Sequence, residues 1–168
     1  KRATGKDLVN YDEILYEGYA PHGVALLVET ATDNPTRTVA NVRMHFTKGG
    51  GALGTSGSVA FGFNRMGEFK VKNNGQNLEE LELELIDYGL EEIGEDSEGN
   101  IIIRTAYNEF GNMSKALEER KIEVISAELT RIPTTTVELS EDQANEVLKM
   151  VDNLEQDDDV QKVYHNLK

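Results

Sequence analysis

Residues 16–63 read YEGYAPHGVALLVETATDNPTRTVANVRMHFTKGGGALGTSGSVAFGF and join a Pro/Gly turn, an apolar run, a capped helix and a glycine-rich loop without a break. Val24 to Val28 is a short apolar segment after the turn at Pro21 and Gly23, the pattern of a buried strand. Asn34 is an N-cap residue with Pro35 at the first helical position, and Val39, Val42 and Phe46 recur on one helical face until Gly49 stops the helix. Arg37, Asn41, His45 and Lys48 then share the opposite face as a basic and polar stripe. After the glycines, Val59, Phe61 and Phe63 alternate as in a half-buried strand. A turn near Met66 and Gly67 lets Phe69 to Val71 pair back as a hairpin. The unit reads β-α-β-β, a ferredoxin-like order that lacks one helix and one strand.

Outward from this stretch, Asn77 and Glu80 make a capping box, and Leu78, Leu81, Leu85 and Tyr88 form a helical stripe ending at Gly89. Leu81 to Leu85 also alternates like a strand, but the cap, the stop and the Glu/Leu content favour helix. Leu90 to Glu95 and Ile101 to Ala106 flank Gly99-Asn100 as a hairpin would. A helix over 109–121 buries Phe110, Met113 and Leu117, and Val124 to Ile132 returns as a strand. Thr134 to Leu139 is β-prone. Ser140 with Gln143 caps a helix burying Ala144, Val147, Leu148, Val151 and Leu154, and Val160 to Leu167 ends the chain as a strand.

The expected fold is α+β, with two ferredoxin-like α/β-sandwich modules. Residues 16–74 with 134–168 form the first, and 75–133 form a second, acidic module inserted into it; two modules in sequence are the alternative. Residues 1–15 read as a linker or the tail of a preceding domain, and no initiating Met is present.

The 168 residues are 38% hydrophobic, enough for a real core, and their net charge is −14. Residues 1–75 hold 9 Lys/Arg against 7 Asp/Glu, whereas 76–168 hold 8 against 24. Phosphate affinity comes largely from Lys and Arg, so a polyanionic partner is expected on the first half. No apolar run reaches a bilayer span and no signal-peptide core is visible, which makes cytoplasmic the expected location and a membrane partner unexpected. With no Cys in the chain, disulfides, thiolate metal sites and cysteine nucleophiles are excluded.

The glycine loop lacks Gly-Lys-Ser/Thr and follows a helix rather than preceding one, so it is not a phosphate loop. It reads as a flexible turn, with mobile backbone beside Lys48 as its functional reading. His22, His45 and His165 have no metal-ligand spacing, and Asp157-Asp158-Asp159 lacks the rest of a calcium loop. No serine stands in a nucleophile elbow and no carboxylate pair is isolated by spacing, so no catalytic residue, metal or cofactor is expected. The remaining candidate is a cationic surface of Arg37, Arg43, His45, Lys48, Arg65, Lys70 and Lys72 for nucleic-acid phosphates, set against the plainer reading of ordinary surface charge.

The run YEGY-x-P-x-G-V, followed by T-D-N, R-T-V-A-x-V-R, the glycine turn and G-S-V-A-x-x-F, resembles the YebC family. Arg131 to Leu139, R-I-P-T-T-T-V-x-L, adds to it. His22 stands where the family pattern often has Gly. The resemblance implies a non-enzymatic gene-expression factor, and a basic helical N-terminal domain absent from these residues. A DNA-binding transcriptional regulator is the leading expectation. A translation factor bound to the ribosome or its RNA is the alternative, and a protein-interaction module without nucleic-acid contact is the third. Nucleic acid is expected to meet mainly the absent domain plus the basic face, with a protein partner for the acidic module and a monomer or weak dimer in solution.

Overall fold

The computed structural model describes residues 11–168. The expected linker lies outside the described residues as far as residue 10, and from Asp12 onward it is strand. In chain order the elements are β1 (Asp12–Tyr19), β2 (Ala25–Thr32), α1 (Pro35–Lys48), β3 (Ala52–Leu53), β4 (Phe63–Val71), α2 (Leu78–Leu85), β5 (Leu90–Glu95), β6 (Ile101–Ala106), α3 (Phe110–Glu119), β7 (Val124–Pro133), α4 (Glu141–Glu155) and β8 (Val160–His165). They form two compact units. Unit 1 holds the residues up to Phe63 together with Pro133–Lys168, and unit 2 holds Asn64–Ile132. Among the described residues, no helix is long and apolar enough to cross a membrane.

Unit 1 is a four-stranded antiparallel sheet in the order β3-β1-β2-β8. The apolar run in and before β2 is continuous because both its faces are covered. Val24, Leu26 and Val28 pack with Val42 and Phe46 of α1 and with Val147, Met150, Val151 and Leu154 of α4. On the other face Ala25 and Leu27 meet Val59, Phe63 and Tyr164. Met150 takes the buried place expected of Leu148, which is exposed. The caps form as the sequence indicates: Asn34 accepts from the Arg37 amide, and Ser140 and Gln143 make a reciprocal capping box. Thr134 to Leu139 contributes only a bridge, Val137 to Leu167.

α4 and β8 complete unit 1 as expected, β8 pairing with β2, but the hairpin strand differs from expectation: β1, not residues 69–71, takes that place, pairing with β2 along its whole length. The unit is therefore ferredoxin-like in layout, with the strand that is ordinarily third moved to the front of the chain. The expected hairpin of residues 58–63 with 69–71 does not form. Val59 and Phe63 are buried while Phe61 is 81% exposed, and the backbone between them makes a 3-10 turn, Ala60–Gly62. β4 then runs unbroken through Met66 and Gly67 as a strand of the other sheet. Gly67 makes no turn; a Cβ there would lie 2.5 Å from the Phe110 ring and 2.6 Å from the Thr105 hydroxyl, so it is glycine because α3 and β6 pack onto it. The first-module boundary expected at residue 74 accordingly falls at Phe63.

Unit 2 runs β4-α2-β5-β6-α3-β7 with sheet order β5-β6-β4-β7, the ferredoxin-like βαββαβ arrangement. Its core is Phe69 and Val71 of β4, Ile101 and Ile103 of β6, Leu81 and Leu85 of α2, and Met113, Ala116 and Leu117 of α3. Leu81 to Leu85 is helix, as its cap indicates: Asn77 accepts from the Glu80 amide, and Gly89 ends the segment at φ 87°.

His165 gives unit 1 a pH dependence. Its Nδ1 accepts a hydrogen bond from the Leu167 amide at 3.1 Å, which requires that nitrogen to be unprotonated. Burial lowers its pKa, against a smaller opposing pull from Glu155. The folded protein then binds fewer protons than the unfolded chain across the ordinary histidine range, so stability falls as pH drops from neutrality through that range. Denaturation midpoints at pH 7 and pH 5.5 are expected to separate, and the separation to shrink in His165→Gln.

Candidate nucleic-acid interface

The helix stripe and the strand cations of the candidate surface belong to different units. Arg37, Arg43, His45 and Lys48 lie on α1 of unit 1, while Arg65, Lys70 and Lys72 lie in or just after β4 of unit 2.

Two members of the α1 stripe, Arg37 and His45, are paired with carboxylates. Arg37 donates from Nε to Asp159 Oδ2 at 3.1 Å and from Nη2 to Asp159 Oδ1 at 2.8 Å, and also reaches Asp33 at 3.2 Å. Thr38 Oγ1 adds a 2.8 Å bond to Asp159. Burial alone raises the pKa of Asp159, but these hydrogen bonds and the Arg37 charge reverse it and hold the carboxyl below its ordinary range. The pair is thus a fixed two-pronged clamp of the geometry guanidinium favours. About two turns of helix further on, His45 Nε2 lies 3.2 Å from Asp157 Oδ2. The acidic turn after α4 therefore sits on the face expected for a polyanion. With Tyr11, Asp33, Arg37 and Asn41 it lines a polar hollow of about 430 Å³.

On the same helix Arg43 and Lys48 are exposed. Lys48 meets Lys149, Glu146, Met150 and Asn153 around a second hollow of about 210 Å³. In unit 2, Lys70 sits 3.4 Å from both Asp96 and Glu98, and hydrogen bonding first to Glu98 and then to Asp96 raises its pKa. Lys72 is exposed. Arg65 lies 3.9 Å above the Tyr107 ring.

Charge is also redistributed by the fold. Residues 11–63 with 133–168 carry 6 Lys/Arg and 14 Asp/Glu, and residues 64–132 carry 8 and 16. The basic first half of the sequence has no counterpart in space, because Asp157 to Asp159 and the acidic α4 return to it.

The glycine loop is not a free turn. Gly50 takes φ 87° at the end of α1, the Gly51 amide bonds Phe46 O at 2.8 Å and the Gly50 amide bonds Thr47 O at 3.1 Å, a Schellman cap. Beyond it, the buried Glu17 side chain accepts from the amides of Gly57 at 2.6 Å, Val59 at 2.9 Å and Ala60 at 2.7 Å. Nothing local in the sequence marks Glu17, because the amides it holds lie 40 to 43 residues further along the chain. His22 adopts φ 67°, a left-handed value that Gly accepts more readily, and its Nε2 contacts Glu146 at 2.9 Å.

Residues 11–167 match the family described as the TACO1/YebC second and third domain. The chain belongs to that family. A relative from Myxococcus xanthus, named "Probable transcriptional regulatory protein", is 57% identical over 99% of this chain and 71% of its own length. One of the same kind from Flavobacterium psychrophilum is 51% identical over all of this chain and 71% of its own. The crystal structure of a conserved hypothetical protein from Aquifex aeolicus superposes with a TM-score of 0.81 at 39% identity; the match covers 95% of this chain and 65% of that one. The TACO1/YebC chain described above thus spans about two thirds of the length of these proteins, and its α+β arrangement is shared with the Aquifex aeolicus structure.

Proposed function

We propose that this chain is the acidic part of a non-enzymatic, transcription-regulating TACO1/YebC protein, whose contact with DNA is made mainly by residues outside these two units. The observation that supports this reading is the pairing of Arg37, His45 and Lys70 with carboxylates of their own unit, in a chain where acidic side chains outnumber basic ones in both units. What is left of the candidate surface for phosphates is sparse: Arg43, Lys48 and Lys72, with Arg65 lying over the Tyr107 ring. The names of the relatives are regulatory, and the reading assigns no catalytic step.

The test is a salt titration of these residues against duplex DNA, beside the same titration of a full-length family member. These residues are expected to bind with a dissociation constant no tighter than about 100 µM at physiological salt, and the full-length protein far more tightly with a steep salt dependence. Submicromolar, sequence-selective binding by residues 1–168 overturns the reading.

A second reading, contact with ribosomal RNA, is favoured by one feature. Arg65 stacked on the partly exposed Tyr107 offers a planar surface on which an unpaired base can stack. Loss of ribosome co-sedimentation on Tyr107→Ala in the full-length protein, with duplex binding unchanged, supports it over the first.

A further inference from the structure

β7 stands at the end of its sheet, and every residue from Val124 to Leu129 is exposed. Three of them are large and apolar: Ile125 is 50% exposed, Leu129 44% and Val124 39%. An apolar edge strand is a template for pairing, and proteins ordinarily blunt or cover it. Between Val124 and Leu129 only Glu128 carries a charge.

Two identical edges can pair antiparallel about a twofold axis only in registers where one residue faces its own copy, because hydrogen-bonded and non-hydrogen-bonded pairs alternate and the axis must map each kind onto itself. Centred on Glu128, the register opposes two carboxylates. Centred on Ser126, it sets Glu128 against Val124 and Lys121 against Arg131. Centred on Ala127, it sets Ile125 against Leu129 and Glu123 against Arg131, each pair occurring twice. Cross-strand apolar pairs and opposite charges stabilise a sheet, and like charges facing each other do the reverse. The alternation of a strand also puts Ile125, Ala127 and Leu129 on one face, with the smallest side chain at the axis. The ladder already extends to Glu123, whose carbonyl accepts from the Lys72 amide at 2.9 Å.

We propose that β7 pairs with β7 of a second copy of this chain in the register centred on Ala127, joining two four-stranded sheets into one. The self-complementarity of the strand, apolar at its centre and oppositely charged at its two ends, identifies the second copy as the occupant.

Sedimentation equilibrium of the whole chain from roughly 10 µM to 1 mM tests this, over the range where weak association is visible. A reversible monomer–dimer equilibrium is expected, with amide protection at residues 126–128 rising with concentration. Ile125→Lys is expected to weaken the dimer about tenfold or more. Glu123→Arg and Arg131→Glu are each expected to weaken it, and the two together to restore it to within about twofold, since the swap reinstates both cross-strand pairs. The charge swap leaves the apolar residues intact and keeps the test decisive if the lysine variant misfolds. A monomer at every concentration overturns the proposal and leaves the edge to a strand of another protein. A dimer indifferent to Ile125→Lys, or a double swap that fails to restore association, overturns it as well.

Discussion

Gly51→Ala is expected to destabilise the protein by about 3 kcal/mol or more, read as a lowered denaturant midpoint with an unchanged slope. A Cβ at Gly51 overlaps the carbonyl oxygen of Tyr19 and lies 3.0 Å from Ala20 Cα. Both are backbone atoms, so no side-chain rotation relieves the clash. Tyr19 is held by pairing on both sides, to Ala25 of β2 and to Ala52 of β3, and Gly51 is tied to Phe46 by its own amide. The strain must therefore lift β3 from the sheet or unwind the end of α1. Gly62→Ala is the control. Its Cβ meets nothing within 4 Å and its φ is not left-handed, so a change within about 0.5 kcal/mol is expected. If both alanines prove equally mild, Gly51 is not a packing residue.

Glu17→Ala is expected to cost about 3–4 kcal/mol, because it leaves the amides of Gly57, Val59 and Ala60 without the carboxylate that they share. Bonds to a charged acceptor are the strong ones, and the Val59 amide is buried. Glu17→Gln distinguishes this role from simple volume. A carbonyl oxygen placed at the Oε1 position keeps two bonds, while the amide group then faces the Gly57 N–H donor to donor. Recovery of roughly half the loss is expected on that count. Hydrogen exchange supplies the local readout: the amides at 57, 59 and 60 should exchange faster in both variants. Unchanged exchange there, with a loss of global stability, would refute the anchoring role.

These two residues also mark the limit of what could be read along the chain. The glycine run was legible as a break after α1, and Asn34, Pro35, Ser140 and Gln143 as helix starts, since a cap is a contact between residues a few positions apart. The purpose of Gly51 was not legible, because the atom that excludes a side chain belongs to Tyr19, on a strand that the sequence does not announce. Asp12 to Tyr19 carries three carboxylates and a glycine among its apolar residues, and becomes a strand by pairing with β2. Gly67 misled in the same way, as a turn signal inside a continuous strand.

The candidate surface shows the same division more sharply. Arg37, His45 and Lys48 were placed on one side of α1 by helical spacing alone, and they do lie on that helix. That Arg37 and His45 are already engaged was decided by Asp159 and Asp157, more than a hundred residues away. By itself, the sequence determined the family, the helices and their caps, the buried run at Val24 to Val28 and the excess of carboxylates. Only the tertiary structure decided that β1 stands between β2 and β3, that β4 belongs to unit 2, and that Arg37 and His45 of the basic stripe are paired with carboxylates. Periodicity and capping are short-range, set by backbone geometry within a few residues. Strand order and charge pairing depend on contacts between distant segments, and these are fixed only when burial and hydrogen bonding are satisfied across the whole unit.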